Sequence, residues 1–135
     1  KQEINKLMLL RKWGELMRVT TFDRSDPRSG MQMIMTSIDY IKEGVSVFIF
    51  PEGTRASKKK DVHFKAGSLK PALRTNCPIV PVRIRGTADI FENHVPLIRP
   101  SDVTVEFLKP VYPERLDKEE KKKLSDSLEK QLKQV

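Results

Sequence analysis

The stretch Phe48-Ile49-Phe50-Pro51-Glu52-Gly53-Thr54-Arg55 constrains this chain more than any other. The apolar run from Val45 to Phe50 reads as a strand, and Pro51 stops it, because proline has no backbone N–H to give to a sheet ladder. A carboxylate, a glycine, a hydroxyl and a guanidinium then follow in succession. A strand end feeding a polar loop is the usual place for a ligand site in an open α/β sheet. Gly53 lacks a Cβ, so backbone and ligand can approach closely. Arg55 offers a planar fork of donors that suits phosphate. Thr54 adds a hydroxyl donor, and Glu52 can hold Arg55 or a substrate hydroxyl. Taken alone, the same residues also describe a strand followed by a charged turn. The near-continuous apolar run implies burial on both faces. The fold class expected is therefore α/β, with a mixed, mainly parallel sheet flanked by helices.

Elsewhere the chain divides into short elements. Apolar residues at Ile4, Leu7, Met8, Leu10, Trp13, Leu16 and Met17 approximate helical spacing, with a break expected near Gly14. Flanked by Lys6, Arg11, Lys12 and Arg18, this segment suits either core packing or a membrane interface. Val19 to Asp23 reads as a short strand, followed by the turn signal Ser25-Asp26-Pro27. Met31, Ile34, Met35, Ile38 and Ile41 define an amphipathic helix closed by Gly44. A helix from about Ser68 to Thr75 is expected, with Ser68 as N-cap and its free amides available to a phosphate. Asn76-Cys77-Pro78 ends it. Ile79 to Ile84 reads as a strand that starts irregularly at Pro78 and Pro81, and Arg85-Gly86-Thr87 ends that strand. Ala88 to Pro100 has no clear period and reads as a loop, with a short helix as the alternative. Val103 to Leu108 alternates like a strand near a sheet edge. Asp117 to Gln134 is a charged helix with a seam of Leu124, Leu128 and Leu132 and supporting pairs Glu119–Lys123 and Glu129–Lys133. Residues 1–135 are expected to form a single partial domain, with an α/β core over 1–116 and a C-terminal surface helix over 117–135.

Phe50-Pro51-Glu52-Gly53-Thr54-Arg55 resembles the F-P-E-G-T-R signature of the glycerophospholipid acyltransferases, in particular the PlsC-type 1-acyl-sn-glycerol-3-phosphate acyltransferases. Further pieces resemble the family's blocks in the family's order. Lys1-Gln2-Glu3-Ile4 resembles its K-K-E-L block, and Phe22-Asp23-Arg24 an upstream block that ends in arginine. Phe64-Lys65-Ala66-Gly67 resembles F-K-x-G, and Ile79-Val80-Pro81-Val82 the last block. The resemblance runs from Lys1 to about Val111. It implies acyl transfer from acyl-CoA or acyl carrier protein to the sn-2 hydroxyl of 1-acyl-sn-glycerol 3-phosphate, giving phosphatidic acid. It also implies that Arg24, Arg55 and Lys1 recognise the acceptor phosphate, that Glu52 orients the acceptor, and that Gly53 and Thr54 shape the loop. Ala56 stands where the family usually has serine.

Acyl transfer to an alcohol needs a base for the hydroxyl proton. The family supplies a histidine followed five positions later by an aspartate. Five positions after His63 is Ser68, and five after His94 is Arg99, so neither matches. In the family that pair lies just before the segment resembling Lys1 to Ile4. The expectation is that the catalytic pair lies upstream of this chain, and that the chain alone carries acceptor binding without turnover. Neither histidine has the Cys/His/Asp neighbours of a metal site, and no cofactor beyond the acyl-donor co-substrate is expected.

Lys plus Arg number 26 against 18 Asp plus Glu, a net charge of +8. That balance favours anionic partners, among them a phospholipid surface, and residence on the cytoplasmic face of a membrane is expected. Nucleic acid is disfavoured, because aromatics are 7% of residues and none interleaves with the lysine runs. Two readings compete with the leading one: a related acyltransferase using glycerol 3-phosphate or another lysophospholipid, and a non-catalytic basic module for membrane surfaces. The single cysteine, Cys77, excludes an internal disulfide and reads as a small semi-buried residue.

Overall fold

A computed structural model of the chain describes residues 8–20, 26–53 and 63–133. Their elements in order are α1 (Met8–Leu16), α2 (Pro27–Lys42), a 3-10 turn (Ala66–Leu69), α3 (Lys70–Thr75), β1 (Val82–Arg85), a second 3-10 turn (Thr87–Asp89), β2 (Thr104–Phe107), a third 3-10 turn (Pro113–Arg115) and α4 (Lys118–Lys133). α1 runs through Gly14 without the expected break. Trp13, at 58% exposure, and Leu16 and Met17 all face solvent, so core packing does not account for these three residues.

α2 is delimited by local chemistry at both ends. Asp26 caps its start by accepting from the Arg28 N–H at 2.9 Å, and Pro27 stands where a helix has no N–H to lose. At its end Gly44 takes φ +79°, the Gly44 N–H donates to Ile41 O and the Val45 N–H to Tyr40 O. This is the Schellman arrangement, which satisfies carbonyls that the helix itself leaves open. α2 packs on α3, and Ile38 is buried in its inner face.

The sheet departs from expectation. Among the described residues it is a two-stranded antiparallel ribbon pairing Val82 with Phe107, Arg83 with Glu106, Ile84 with Val105 and Arg85 with Thr104. An isolated antiparallel bridge joins Ile79 to Val111 across the irregular Pro78–Pro81 start. Residues 45–50 form no ladder there, and Phe48 and Phe50 are 63% and 65% exposed. The expected mainly parallel sheet with this segment at its centre, buried on both faces, is therefore not what the described residues form. The physical reason is that an apolar run specifies a surface to cover but supplies no partner for its backbone groups. The two rings on its outer face pack on each other instead, edge to face at 5.0 Å between centroids. The predicted strand over 19–23 lies mostly outside the described residues.

A two-stranded ribbon is marginal by itself, and α4 supports this one. Leu124 and Leu128 are buried, each contributing about 1.5–3 kcal/mol of apolar transfer. Arg83 on β1 spans the joint. Its Nη1 donates to Glu106 across the ribbon at 2.8 Å, while its Nε and Nη2 donate to the Leu132 and Gln131 carbonyls at 3.0 and 2.6 Å. Those carbonyls belong to the last turn of α4, where a helix lacks internal donors. Glu129 pairs with Lys133 as the spacing predicts, whereas Glu119 pairs with Lys122, three residues on, and not with Lys123. Ser125, on the same helix, is buried with its hydroxyl unpartnered among the described residues. Ser125→Ala removes that desolvated hydroxyl and improves helix propensity. Equal or higher stability by about 1 kcal/mol is expected in urea titration.

Candidate functional site

The signature turn is closed by its own backbone. Pro51 ends the extended segment, Gly53 takes φ +62°, and the Gly53 N–H donates to Phe50 O at 3.1 Å. A side chain at that φ would be strained, which gives Gly53 a conformational reason in addition to close approach. Glu52 sits half-buried at the head of this turn. Arg24, Thr54, Arg55 and Lys1 lie outside the described residues. Of the expected acceptor-binding set, Glu52 and Gly53 are thus the two whose surroundings are defined.

A second segment meets the turn. The Lys65 N–H donates to Pro51 O at 2.9 Å, joining the Phe64-Lys65-Ala66-Gly67 piece to the signature. The Lys65 side chain lies over Gly53. A Cβ placed on that glycine would stand 3.3 Å from Lys65 Cε and 3.4 Å from both its Cδ and Nζ. Lys65 O in turn accepts from the Ser68 N–H at 2.8 Å and from Ser68 Oγ at 2.7 Å. Ser68 therefore serves the 3-10 turn and does not cap the α-helix. α3 begins at Lys70 after Leu69, with no side-chain cap. The expected N-cap at Ser68 is corrected: α3 starts at Lys70, so the cap position falls on Leu69, and Ser68 lies inside the preceding 3-10 turn with its hydroxyl donated back to Lys65 O.

The segment is held from its other side by α4. Glu129 accepts from the Phe64 N–H at 2.7 Å, from His63 Nδ1 at 2.9 Å and from Lys133 Nζ at 2.8 Å. Its carboxyl is lowered to about 2, first by the Lys133 hydrogen bond, then by the Phe64 N–H, with a further contribution from His63. His63 thus has a carboxylate partner on another element. Among the described residues no group of His, Cys, Asp and Glu is arranged to hold a metal. Sequence reading missed Glu129 as part of the site's support. The local signal at Glu129 is a helix pair with Lys133, and its reach across 65 residues to Phe64 leaves no pattern in the chain.

Comparison with known proteins gives the family. The acyltransferase family model matches residues 1–85, which hold both the signature and the segment that meets it. The chain is 33% identical over 117 residues to a chloroplastic 1-acyl-sn-glycerol-3-phosphate acyltransferase, BAT2, of Brassica napus, covering 84% of this chain and 34% of that protein. It is 36% identical over 80 residues to a 1-acyl-sn-glycerol-3-phosphate acyltransferase of Borreliella burgdorferi, covering 59% of this chain and 32% of that protein. The crystal structure of the 1-acyl-sn-glycerophosphate (LPA) acyltransferase PlsC from Thermotoga maritima superposes with a TM-score of 0.64 at 33% identity, over 74% of this chain and 41% of that one. The chain spans about a third of the length of these curated relatives. On the family match and the joined signature segments, the chain belongs to the acyltransferase family.

Proposed function

We propose that this chain carries the acceptor-binding part of a 1-acyl-sn-glycerol-3-phosphate acyltransferase of phospholipid biosynthesis. The observation that carries the reading is the signature turn over 50–53, closed on itself and bonded to the F-K-x-G segment, in a chain similar to proteins named for that activity. In the reaction, a base removes the proton of the acceptor's sn-2 hydroxyl. Its oxygen forms a bond to the thioester carbonyl carbon, the carbon–sulfur bond breaks, and the thiolate leaves to be protonated. The acceptor is 1-acyl-sn-glycerol 3-phosphate and the donor acyl-CoA or acyl carrier protein. Arg24 and Arg55 hold the acceptor phosphate with Lys1, Glu52 orients the acceptor, and Gly53 and Thr54 shape the loop. Proton abstraction needs a base, and neither His63 nor His94 has the histidine–aspartate spacing the family uses for it.

Among the described residues no helix is long and apolar enough to cross a membrane. The net charge of +8 and the solvent-facing Trp13, Leu16 and Met17 support association with an anionic lipid surface, on its cytoplasmic face. Glycerol 3-phosphate or another lysophospholipid as acceptor is the second reading, because the sequence departs from the family's usual serine at Ala56, directly after the signature.

The test follows thiol release from an acyl-CoA in a longer protein that includes the upstream pair. Release that requires lysophosphatidate is expected, and Glu52→Ala or Arg55→Ala is expected to cut kcat/KM by about tenfold or more, the worth of one charge-assisted bond. Release indifferent to both substitutions would remove the assigned roles. Release with glycerol 3-phosphate alone would establish the second reading.

A further inference from the structure

We propose that Lys65 is a phosphate-binding residue of the signature turn, supplying a cation to the phosphomonoester of the acceptor, an inference that rests on the acceptor reading above. The lysine is placed by its backbone before its side chain is considered. Its N–H is bonded to Pro51 O, its carbonyl accepts from Ser68, and the residue before it is tied to Glu129. With both sides of the peptide fixed, the side chain lies across Gly53, its Cδ, Cε and Nζ all 3.3–3.4 Å from the point where a Cβ would stand. An exposed lysine ordinarily keeps its rotamer freedom and its hydration. This one lies along the turn, with Thr54 and Arg55 the next residues in the chain.

Its charge is also available. Among the described residues no carboxylate stands within ion-pair distance of the Lys65 ammonium, although Glu52 is the neighbour of Gly53. Glycine at 53 does two things at once. It accepts the left-handed backbone of the turn, and its missing side chain leaves the space that Lys65 occupies. An alanine at 53 would strain the turn and press on the flexible end of Lys65, which would have to give by a few tenths of an ångström. The ligand class that satisfies a fixed cation beside the backbone of a tight turn is a compact dianion such as a phosphomonoester.

The experiment titrates the 135-residue chain with glycerol 3-phosphate and, separately, with coenzyme A, following the Gly53 and Lys65 amide resonances by NMR. Glycerol 3-phosphate is expected to shift both. Lys65→Met is expected to weaken its binding about tenfold or more, and Lys65→Arg to retain most of it. Thermal unfolding of Lys65→Met should match the parent, because the side chain is exposed and makes no ion pair among the described residues. Glycerol 3-phosphate binding equal in Lys65→Met and parent, absent from both, or replaced by coenzyme A as the ligand that needs Lys65, would overturn the assignment. Kinetics in the longer protein separate the two readings: Lys65→Met should raise the acceptor KM and leave the donor KM in place. Lys65-dependent phosphate binding without lysophosphatidate turnover would instead mean that the site stands and the activity is another.

Discussion

Gly86→Ala is expected to lower the melting temperature by roughly 10 °C or more, the largest loss expected for alanine at any of the six glycines. Gly86 ends β1 at φ +85°, in the left-handed region. An alanine there costs about 1–2 kcal/mol for backbone strain alone. A Cβ would also stand inside van der Waals contact of the Asp102 carbonyl oxygen, with the Asp102 carbon at 3.2 Å and Val103 Cα at 3.5 Å. These are backbone atoms of the segment that leads into β2, so they cannot rotate away as a side chain would. Relieving the overlap means separating the ribbon where Arg85 faces Thr104, at a further cost of about 1–3 kcal/mol. Gly44→Ala is the internal control: it has a comparable φ of +79° but nothing within 4 Å of its Cβ position. It should show the backbone strain without the overlap. Equal losses for the two variants, measured by thermal or urea unfolding, would show that the Asp102 approach contributes nothing.

That contrast between two glycines also shows what could be read from the sequence. Gly44 and Gly86 both announce element ends, and both ends are where the spacing of apolar residues puts them. α2, β2 and the leucine seam of α4 follow from periodicity and local chemistry in the same way. What distinguishes Gly86 is its proximity to Asp102, which depends on how strands far apart in the chain pair. No local pattern carries that information. The same reason accounts for the missed architecture. The 45–50 run looks like a central buried strand, but strand pairing is decided by a partner, and β1 finds its partner in β2 while Phe48 and Phe50 stay exposed. At the site, Pro51, Glu52 and Gly53 were legible because the turn is made of adjacent residues. The lysine laid over Gly53 and the carboxylate that braces the segment were not, since each acts on residues that only the fold brings near. Arg24, Thr54, Arg55 and Lys1 are legible through resemblance alone, their surroundings lying outside the described residues.

Glu129→Gln is expected to destabilise the chain at neutral pH and to do so progressively less as the solution is acidified. The amide keeps the size of the carboxyl and one acceptor oxygen, but it loses the charge that Lys133, the Phe64 N–H and His63 all face. The sign follows from linkage. The folded carboxyl titrates at about 2, against an ordinary value of 4.5. A depressed carboxyl contributes stability that is fully present above its unfolded value and is lost as pH falls toward its folded value. The gap in melting temperature between parent and Glu129→Gln should therefore be steady from pH 7 to about 5.5, be more than half closed by about pH 3, and be nearly gone at pH 2. A gap independent of pH over that range would show that the carboxylate is not held in its charged form by the three donors. The variant has a second consequence if the 63–65 segment is a brace. Loosening Phe64 should free Lys65 from its place over Gly53, so glycerol 3-phosphate binding should weaken in Glu129→Gln at pH 7, where the fold is intact. Because residue 129 does not itself touch the turn, such a loss would make Glu129 a positioning residue. It would link the C-terminal helix, which lies beyond the residues that match the family model, to the signature it supports.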